Sequence, residues 1–173
     1  MIEIVSVGDD ELDAVMALIR KATSDLGAKG IAQWDEIYPD RETFARDAAA
    51  GDLWGLRADG SLAAVVVLNF DAASEYDSVP WHVADPRPLI VHRLCVDPAF
   101  QGKGFARRLM EFAERFAAKS GARSIRLDAF VQNVVSRGLY RSLGYVERGR
   151  VRFRRGEFVC LEKAINESTD RTA

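Results

Sequence analysis

Gln101-Gly102-Lys103-Gly104-Phe105-Ala106 lies between an apolar run ending at Val96 and a helical pattern opening near Gly104. A glycine-rich turn in that position leaves several backbone N–H groups unpaired and aimed at one spot. The positive end of the helix dipole adds to their field, so the place suits a phosphate or pyrophosphate. Gly102 and Gly104 have no Cβ, which lets a ligand approach the main chain closely. Lys103, Arg107 and Arg108 read either as support for phosphate charge or as solvated cations at a helix end. No G-x-x-x-x-G-K-[ST] run exists in the chain, which excludes a P-loop. A dinucleotide-binding turn is a second alternative, with Asp128 at the distance of a ribose-binding acid. Against it, Gly102 comes six residues after Val96 instead of directly after the strand, and Arg107 stands where a third glycine belongs. The chain also lacks the run of βαβ units that builds a nucleotide half-domain.

A second constellation runs from Asp128-Ala129-Phe130-Val131-Gln132-Asn133 through Ser136-Arg137-Gly138-Leu139-Tyr140 to Leu143-Gly144-Tyr145. Asn133 and Tyr140 are seven residues apart, two helical turns, and so share a face. Taken alone, Asn133 reads as a helix N-cap and Tyr140 as a core aromatic. Taken together, the order strand, Asp97-Pro98, Q-x-x-G-x-A, helix, and then strand, Asn, Tyr-bearing helix and L-G-Y resembles the GNAT superfamily of N-acetyltransferases. Gln101 departs from the arginine more common at its position in that family.

The resemblance implies an α/β (α+β) fold with a mixed, mostly antiparallel central sheet, a splayed central pair of strands and about four flanking helices. It implies acetyl-CoA as cosubstrate and no metal. The pyrophosphate is expected on Gln101, Gly102, Lys103, Gly104, Phe105, Ala106 and Arg107. The pantetheine arm is expected along Leu94, Cys95 and Val96, with Asn133 and Tyr140 completing the site. The implied reaction is acyl transfer from a thioester to an amine of a small molecule or peptide. A non-catalytic acyl-CoA sensor with the same fold is the alternative. An amine must lose a proton before attack, and the departing thiolate must gain one. Tyr140, with an ordinary pKa of roughly 10 against roughly 8.5 for a thiol, is the expected general acid. His92 stands where some arylalkylamine acetyltransferases carry a catalytic histidine, and is the expected base; a carboxylate or a water chain remains open. Cys95 inside an apolar strand reads as a small buried hydrophobe, which favours direct transfer over an acyl-enzyme.

Family members form the acceptor pocket from the segment between the first helices and from the last hairpin. Here the first segment offers Trp34 and Tyr38 with Asp35 and Glu36, a set suited to a cationic amine with an apolar body. Arg148, Arg150, Arg152 and Arg154 alternate along a strand and are expected on one face, which suits a solvated edge or an acidic ligand. The two signals point to different acceptors.

The elements that position these residues follow from periodicity. Strands are expected at 2–7, 53–57, 61–70, 89–96 and 124–129, with a last hairpin over 146–165. Helices are expected from about 9 to 23, at 41–50, 104–120 and 133–142. The stretch 71–88 holds three of the five prolines and reads as a long loop with a task such as closing a site. The expectation is one N-acetyltransferase domain over 1–165 and a polar tail over 166–173. With 24 basic and 26 acidic residues in 173, no global charge draws the chain to nucleic acid or membrane. The absence of a secretory pattern, and two cysteines outside any CxxC, point to a cytoplasmic compartment. The chain is expected to be a monomer or homodimer.

Overall fold

Alternating apolar residues and turn signals resolve into seven strands and four helices in a computed structural model, which describes residues 1–165. The polar tail from Asn166 lies outside the described residues. The strands are β1 (Ile2–Ser6), β2 (Leu53–Ala58), β3 (Ser61–Asn69), β4 (Leu89–Val96), β5 (Ser124–Phe130), β6 (Val146–Phe153) and β7 (Gly156–Ala164). The helices are α1 (Leu12–Ala28), α2 (Arg41–Ala50), α3 (Phe105–Lys119) and α4 (Val134–Ser142). Helix α2 is framed by its own sequence: the Asp40 side chain accepts the Thr43 N–H, and Gly51 ends the helix at φ 77°. Helix α1 continues to Ala28, beyond the stop expected near Thr23. Ser24 and Asp25 are weak helix formers, but the Asp25 carboxylate accepts from Lys29 at 2.6 Å and from Gln101 at 3.3 Å, which ties that turn in place.

The sheet order is β1-β2-β3-β4-β5-β7-β6. Every neighbouring pair is antiparallel except β4 and β5, which run parallel and pair only at Leu89–Ile125 and Ile90–Arg126. Beyond Ile90 the two central strands part. On its other edge β4 carries a bulge: Val67 faces His92 and Val65 faces Cys95, so Arg93 and Leu94 together oppose one residue of β3. Arg93 adopts a left-handed φ of 49°, a conformation that a long side chain rarely takes. Bulges of this kind re-aim side chains, and this one lies in the strand that borders the splay.

Helix α3 covers one face with Leu109, Met110, Ala113 and Ala117, against Ala64, Val66, Leu127 and Leu161. The other face packs Val15, Leu18 and Ile19 of α1 and Phe44 of α2 on Val65, Val67 and Cys95. Burial of these apolar side chains at roughly 25 cal/mol per Å² is the main force holding the strands, and with them the site, in place. Among the described residues no helix is long and apolar enough to cross a membrane.

The loop from Asp71 to Pro88 is tied down by carboxylates. Glu162, only 1% exposed, accepts the His82 N–H at 2.9 Å and the Val83 N–H at 3.3 Å, while Arg126 and Arg148 neutralise it. Asp85 accepts the backbone N–H groups of Arg123 and Ser124, each at 2.8 Å. Anchored so, the loop lays a short 3₁₀ turn, Ser74–Ser78, against the splay. The expected one-faced arginine stripe on β6 does not form. A register shift between Glu147 and Gly149 turns Arg148 inward to Glu162, Arg150 pairs with Glu157, and Arg154 lies past the strand end, paired with Asp35.

Candidate active site

Two clefts of similar size, about 530 Å³ and about 520 Å³, open on either side of the point where β4 and β5 separate. Their linings share Gln33, Trp34, Leu94 and Ser136. A molecule in one is therefore one side chain away from a molecule in the other.

The first cleft is built largely from main chain. It is lined by Leu94, Cys95 and Val96 of β4, by Gln101, Gly102, Gly104, Phe105, Ala106 and Arg107 of the turn, and by Asn133. Gly102 and Gly104 both sit at φ 77°, and open space lies where a Cβ would stand on either. The first turn bond inside α3 runs from the Arg108 N–H to the Gly104 carbonyl, so Phe105, Ala106 and Arg107 have no helical acceptor for their N–H groups. This is the electrostatics of an anion cradle. Lys103 does not line the cleft; its ammonium rests 4.9 Å from the centre of the Phe100 ring. Asn133 caps α4, accepting the Ser136 N–H at 3.1 Å, and donates to the Gln33 side chain at 3.0 Å across the splay. Its capping role and its place on the cleft are both real.

The second cleft is built from side chains that meet from distant segments. Trp34 and Tyr38 come from the α1–α2 connection, Tyr76 from the tethered loop, His92 and Arg93 from β4, Asp128 from β5 and Tyr140 from α4. Phe153, Arg154, Arg155 and Phe158 come from the last hairpin. Tyr140, expected on the cofactor, lies on this second side and is almost fully buried. Burial, and then the Asp128 charge, push its phenol above the ordinary value. The proton stays on Tyr140, which is the state a donor requires.

Asp128 escaped the sequence reading as a site residue, having been weighed only as a ribose-binding acid. Tyr76 donates to its Oδ2 at 2.7 Å, and burial pushes its carboxyl up to about 6, with that hydrogen bond pulling the other way. The only signal in the sequence is an acid between Leu127 and Ala129 in a central strand. Tyr76 gives no signal at all, since it reaches Asp128 from 52 residues away.

His92 lines the same cleft, but its Nε2 is 2.8 Å from Asn69 Oδ1. That oxygen also accepts the Asp71 N–H at 3.1 Å, which makes it an acceptor and assigns the His92 Nε2 as the proton-bearing nitrogen. Burial, and then Arg93, lower the His92 pKa to about 4. The ring is a neutral, tethered imidazole, a poorer proton acceptor than the Asp128 carboxylate. Burial pushes the Cys95 thiol far up, and its side chain packs beneath α1. It is not a thiolate nucleophile.

Residues 14–145 match the Acetyltransferase (GNAT) family. The chain belongs to that family. An uncharacterized N-acetyltransferase, YesJ, of Bacillus subtilis (strain 168) is 27% identical over 139 residues, spanning 79% of this chain and 77% of its own. A GNAT acetyltransferase from Streptococcus agalactiae 2603 superposes with a TM-score of 0.85 at 25% identity, over 95% of this chain and 96% of that one. The PaiA N-acetyltransferase of Thermoplasma acidophilum, solved in complex with coenzyme A, has the same fold: TM-score 0.72 at 18% identity, covering 95% of this chain and 99% of its own. The two solved structures share the fold of this chain, and the chain is an acyltransferase.

Proposed function

We propose that this GNAT acyltransferase moves an acetyl group from acetyl-CoA to the amine of a small molecule or peptide by direct attack. The observation that carries the reading is the meeting of the two clefts at Leu94 and Ser136. A main-chain cradle for an anionic cofactor thereby opens onto a side-chain cleft that holds an acid and a base. The coenzyme A complex of the similarly folded PaiA protein supports the choice of donor.

Bound acetyl-CoA supplies an activated acyl group and a thiolate leaving group. Gly102, Gly104 and the amides through Arg107 receive the pyrophosphate. The edge of β4 that faces away from β3 beyond Ile90 offers main-chain groups to the pantetheine arm and N–H donors to charge that develops on the carbonyl oxygen. Asp128, ionised above about 6, takes the proton that the incoming ammonium must lose. Tyr140 donates to the sulfur as it departs, and the proton that the new amide nitrogen then sheds restores the phenol. The two groups are coupled: while Asp128 is charged it holds Tyr140 protonated, and once Asp128 has gained a proton the phenol becomes easier to deprotonate. His92 then serves as a wall of the acceptor cleft.

A screen for free CoA thiol over amino acids, arylalkylamines, polyamines, aminoglycosides and peptides tests the reaction directly. Thiol release that depends on both an amine and Tyr140 supports it. Release equal in Tyr140→Phe overturns the acid role of Tyr140. No amine-dependent release with any acceptor, with stabilisation of the protein by NAD in place of acetyl-CoA, overturns acetyl transfer.

A further inference from the structure

We propose that the acceptor is a zwitterion: an amine on an apolar body that also carries a carboxylate, such as an amino acid. It is neither a simple arylalkylamine nor a polyamine. The proposal rests on the acyl-transfer reading above and names its substrate class. It comes from how charge is distributed along the second cleft.

At the inner end stands Asp128. Tyr76 occupies one of its oxygens, and among the described residues the other takes no hydrogen bond and borders the cleft. No cationic side chain forms an ion pair with it among the described residues, so an ammonium is the partner this carboxylate lacks. Much of the wall between is apolar, beside the neutral His92 and the Arg93 that Asp47 neutralises. Phe158 packs against Phe130 and Phe153, each at 5.2 Å between ring centres, and Ile37 and Trp34 close the opposite side.

The mouth has the opposite sign. Arg154 and Arg155, from the turn between β6 and β7, both converge on Asp35, at 2.9 Å and 3.2 Å. Two guanidiniums share one carboxylate, which leaves one positive charge uncompensated. Both arginines line the cleft, whereas Asp35 stands outside its lining. Arg93, the third cation on the wall, has its own partner in Asp47. Donors also remain. Arg154 spends one nitrogen on both Asp35 oxygens, and Arg155 spends its Nε on the Ala32 carbonyl and one terminal nitrogen on Asp35. The remaining fork suits a planar monoanion. A second ammonium, as in a polyamine, would meet these cations.

Matched acceptors separate the possibilities. Phenylalanine, tryptophan, leucine and methionine are each compared with the amine left when the carboxyl group is removed. Thiol release with acetyl-CoA gives kcat/KM, and calorimetry in the presence of CoA gives binding without turnover. In at least one pair the amino acid should exceed its amine by ~10-fold or more, the worth of one well-placed charge-assisted bond. Arg154→Ala with Arg155→Ala should bring that ratio close to one. Asp35→Asn should raise it, because Oδ1 can still hold the Ile37 and Tyr38 N–H groups while the competing charge is gone. Opposite signs from the two changes are not what a merely loosened loop would give. Amines that equal or surpass their amino acids in every pair overturn the zwitterion and leave acetyl transfer standing. Amino acids that bind through the arginines but release no thiol with any variant uphold the zwitterion and overturn acetyl transfer. If no member of any pair either binds or reacts, the zwitterion proposal fails.

Discussion

The two clefts are alike in size and touch each other, yet they are made of different material. The cofactor side is main chain: two left-handed glycines, the amides that open α3 and the free edge of a strand, most of it contiguous from Leu94 to Arg107. The acceptor side is side chain, drawn from the α1–α2 connection, the tethered loop, β4, β5, α4 and the last hairpin. A backbone cradle depends on where the chain turns, so it tolerates change at most positions except those that need an absent Cβ. A side-chain cleft depends on which residues stand at its borders, so single substitutions there alter chemistry or selectivity. On the proposed reading the first would hold the acyl donor, and the second would decide the acceptor.

That contrast is broken most severely by removing either proton carrier. Asp128→Asn keeps an acceptor for Tyr76 and Tyr140→Phe keeps the ring, so both should fold with little loss. Each should lower kcat by ~10²–10⁴-fold, with acetyl-CoA affinity close to wild type. Stopped or steady-state thiol release together with a binding titration checks both halves. A variant that loses binding in proportion to rate would show the two clefts to be one site.

The reverse dissection uses Gly104→Glu, which puts a side chain at φ 77° and a negative charge beside the anion cradle. Acetyl-CoA at a hundredfold excess over its dissociation constant should stabilise the wild type by roughly 2.7 kcal/mol. The variant should gain none of this, while calorimetric binding of an acceptor persists. Equal thermal shifts in both proteins would remove the cradle from cofactor binding.

The same division explains what the sequence revealed. Gly102, Gly104 and the strand before them are local features, so the glycine turn could be read from spacing; ten of the twelve residues that the family resemblance implied for the cofactor line the first cleft. Lys103 turns onto the Phe100 ring and does not line the cleft, a direction that spacing alone does not give. Trp34 and Tyr38 were legible as aromatics in a connection where the family places its acceptor pocket. Asp128 was in plain view, but its partner Tyr76 lies in a loop that no periodicity describes. The Glu162 and Asp85 tethers help bring that loop to β5, and tethers between residues so far apart in the chain leave no local pattern. The bulge at Arg148, which dissolved the arginine stripe, is invisible to an alternation rule that assumes unbroken register.

A smaller effect sharpens the role of Tyr76 as a positioning residue. Its hydrogen bond favours the ionised form of Asp128, so Tyr76→Phe should push that carboxyl above about 6. The base works when ionised, so the acidic limb of kcat/KM should move to higher pH. Loss of a bond to a charged group at ~1.5–3 kcal/mol implies roughly a two- to fifteenfold fall at neutral pH, recovered in alkali. The other ionisable groups facing Asp128 are Tyr140 and Cys160, with His92, Arg93, Arg154 and Arg155 around the cleft. Of these only His92 titrates on the acid side, at about 4, well below the limb. A limb that stays in place while the rate falls would reduce Tyr76 to packing.

The smallest change in rate is expected at His92, and there the measurement that matters is stability. His92→Ala should leave kcat within about threefold of wild type and the acidic limb unmoved, because Asp128 carries the proton. Removal of the ring forfeits its bond to Asn69, at a net cost of ~1 kcal/mol, and leaves a cavity. Asn69 Oδ1 keeps the Asp71 N–H and is not orphaned. The cost should depend on pH. In the folded protein the imidazole pKa is about 4, against an ordinary value near 6.5, so between these limits the unfolded chain binds more protons. Wild-type stability therefore falls as pH drops through that window, a loss the variant escapes. The gap in denaturation midpoint between the two proteins should narrow steadily from pH 6.5 to pH 4. If His92→Ala instead abolishes the acidic limb and costs a hundredfold in kcat, the imidazole is the base, and Asp128 is left as an anchor for the acceptor's ammonium.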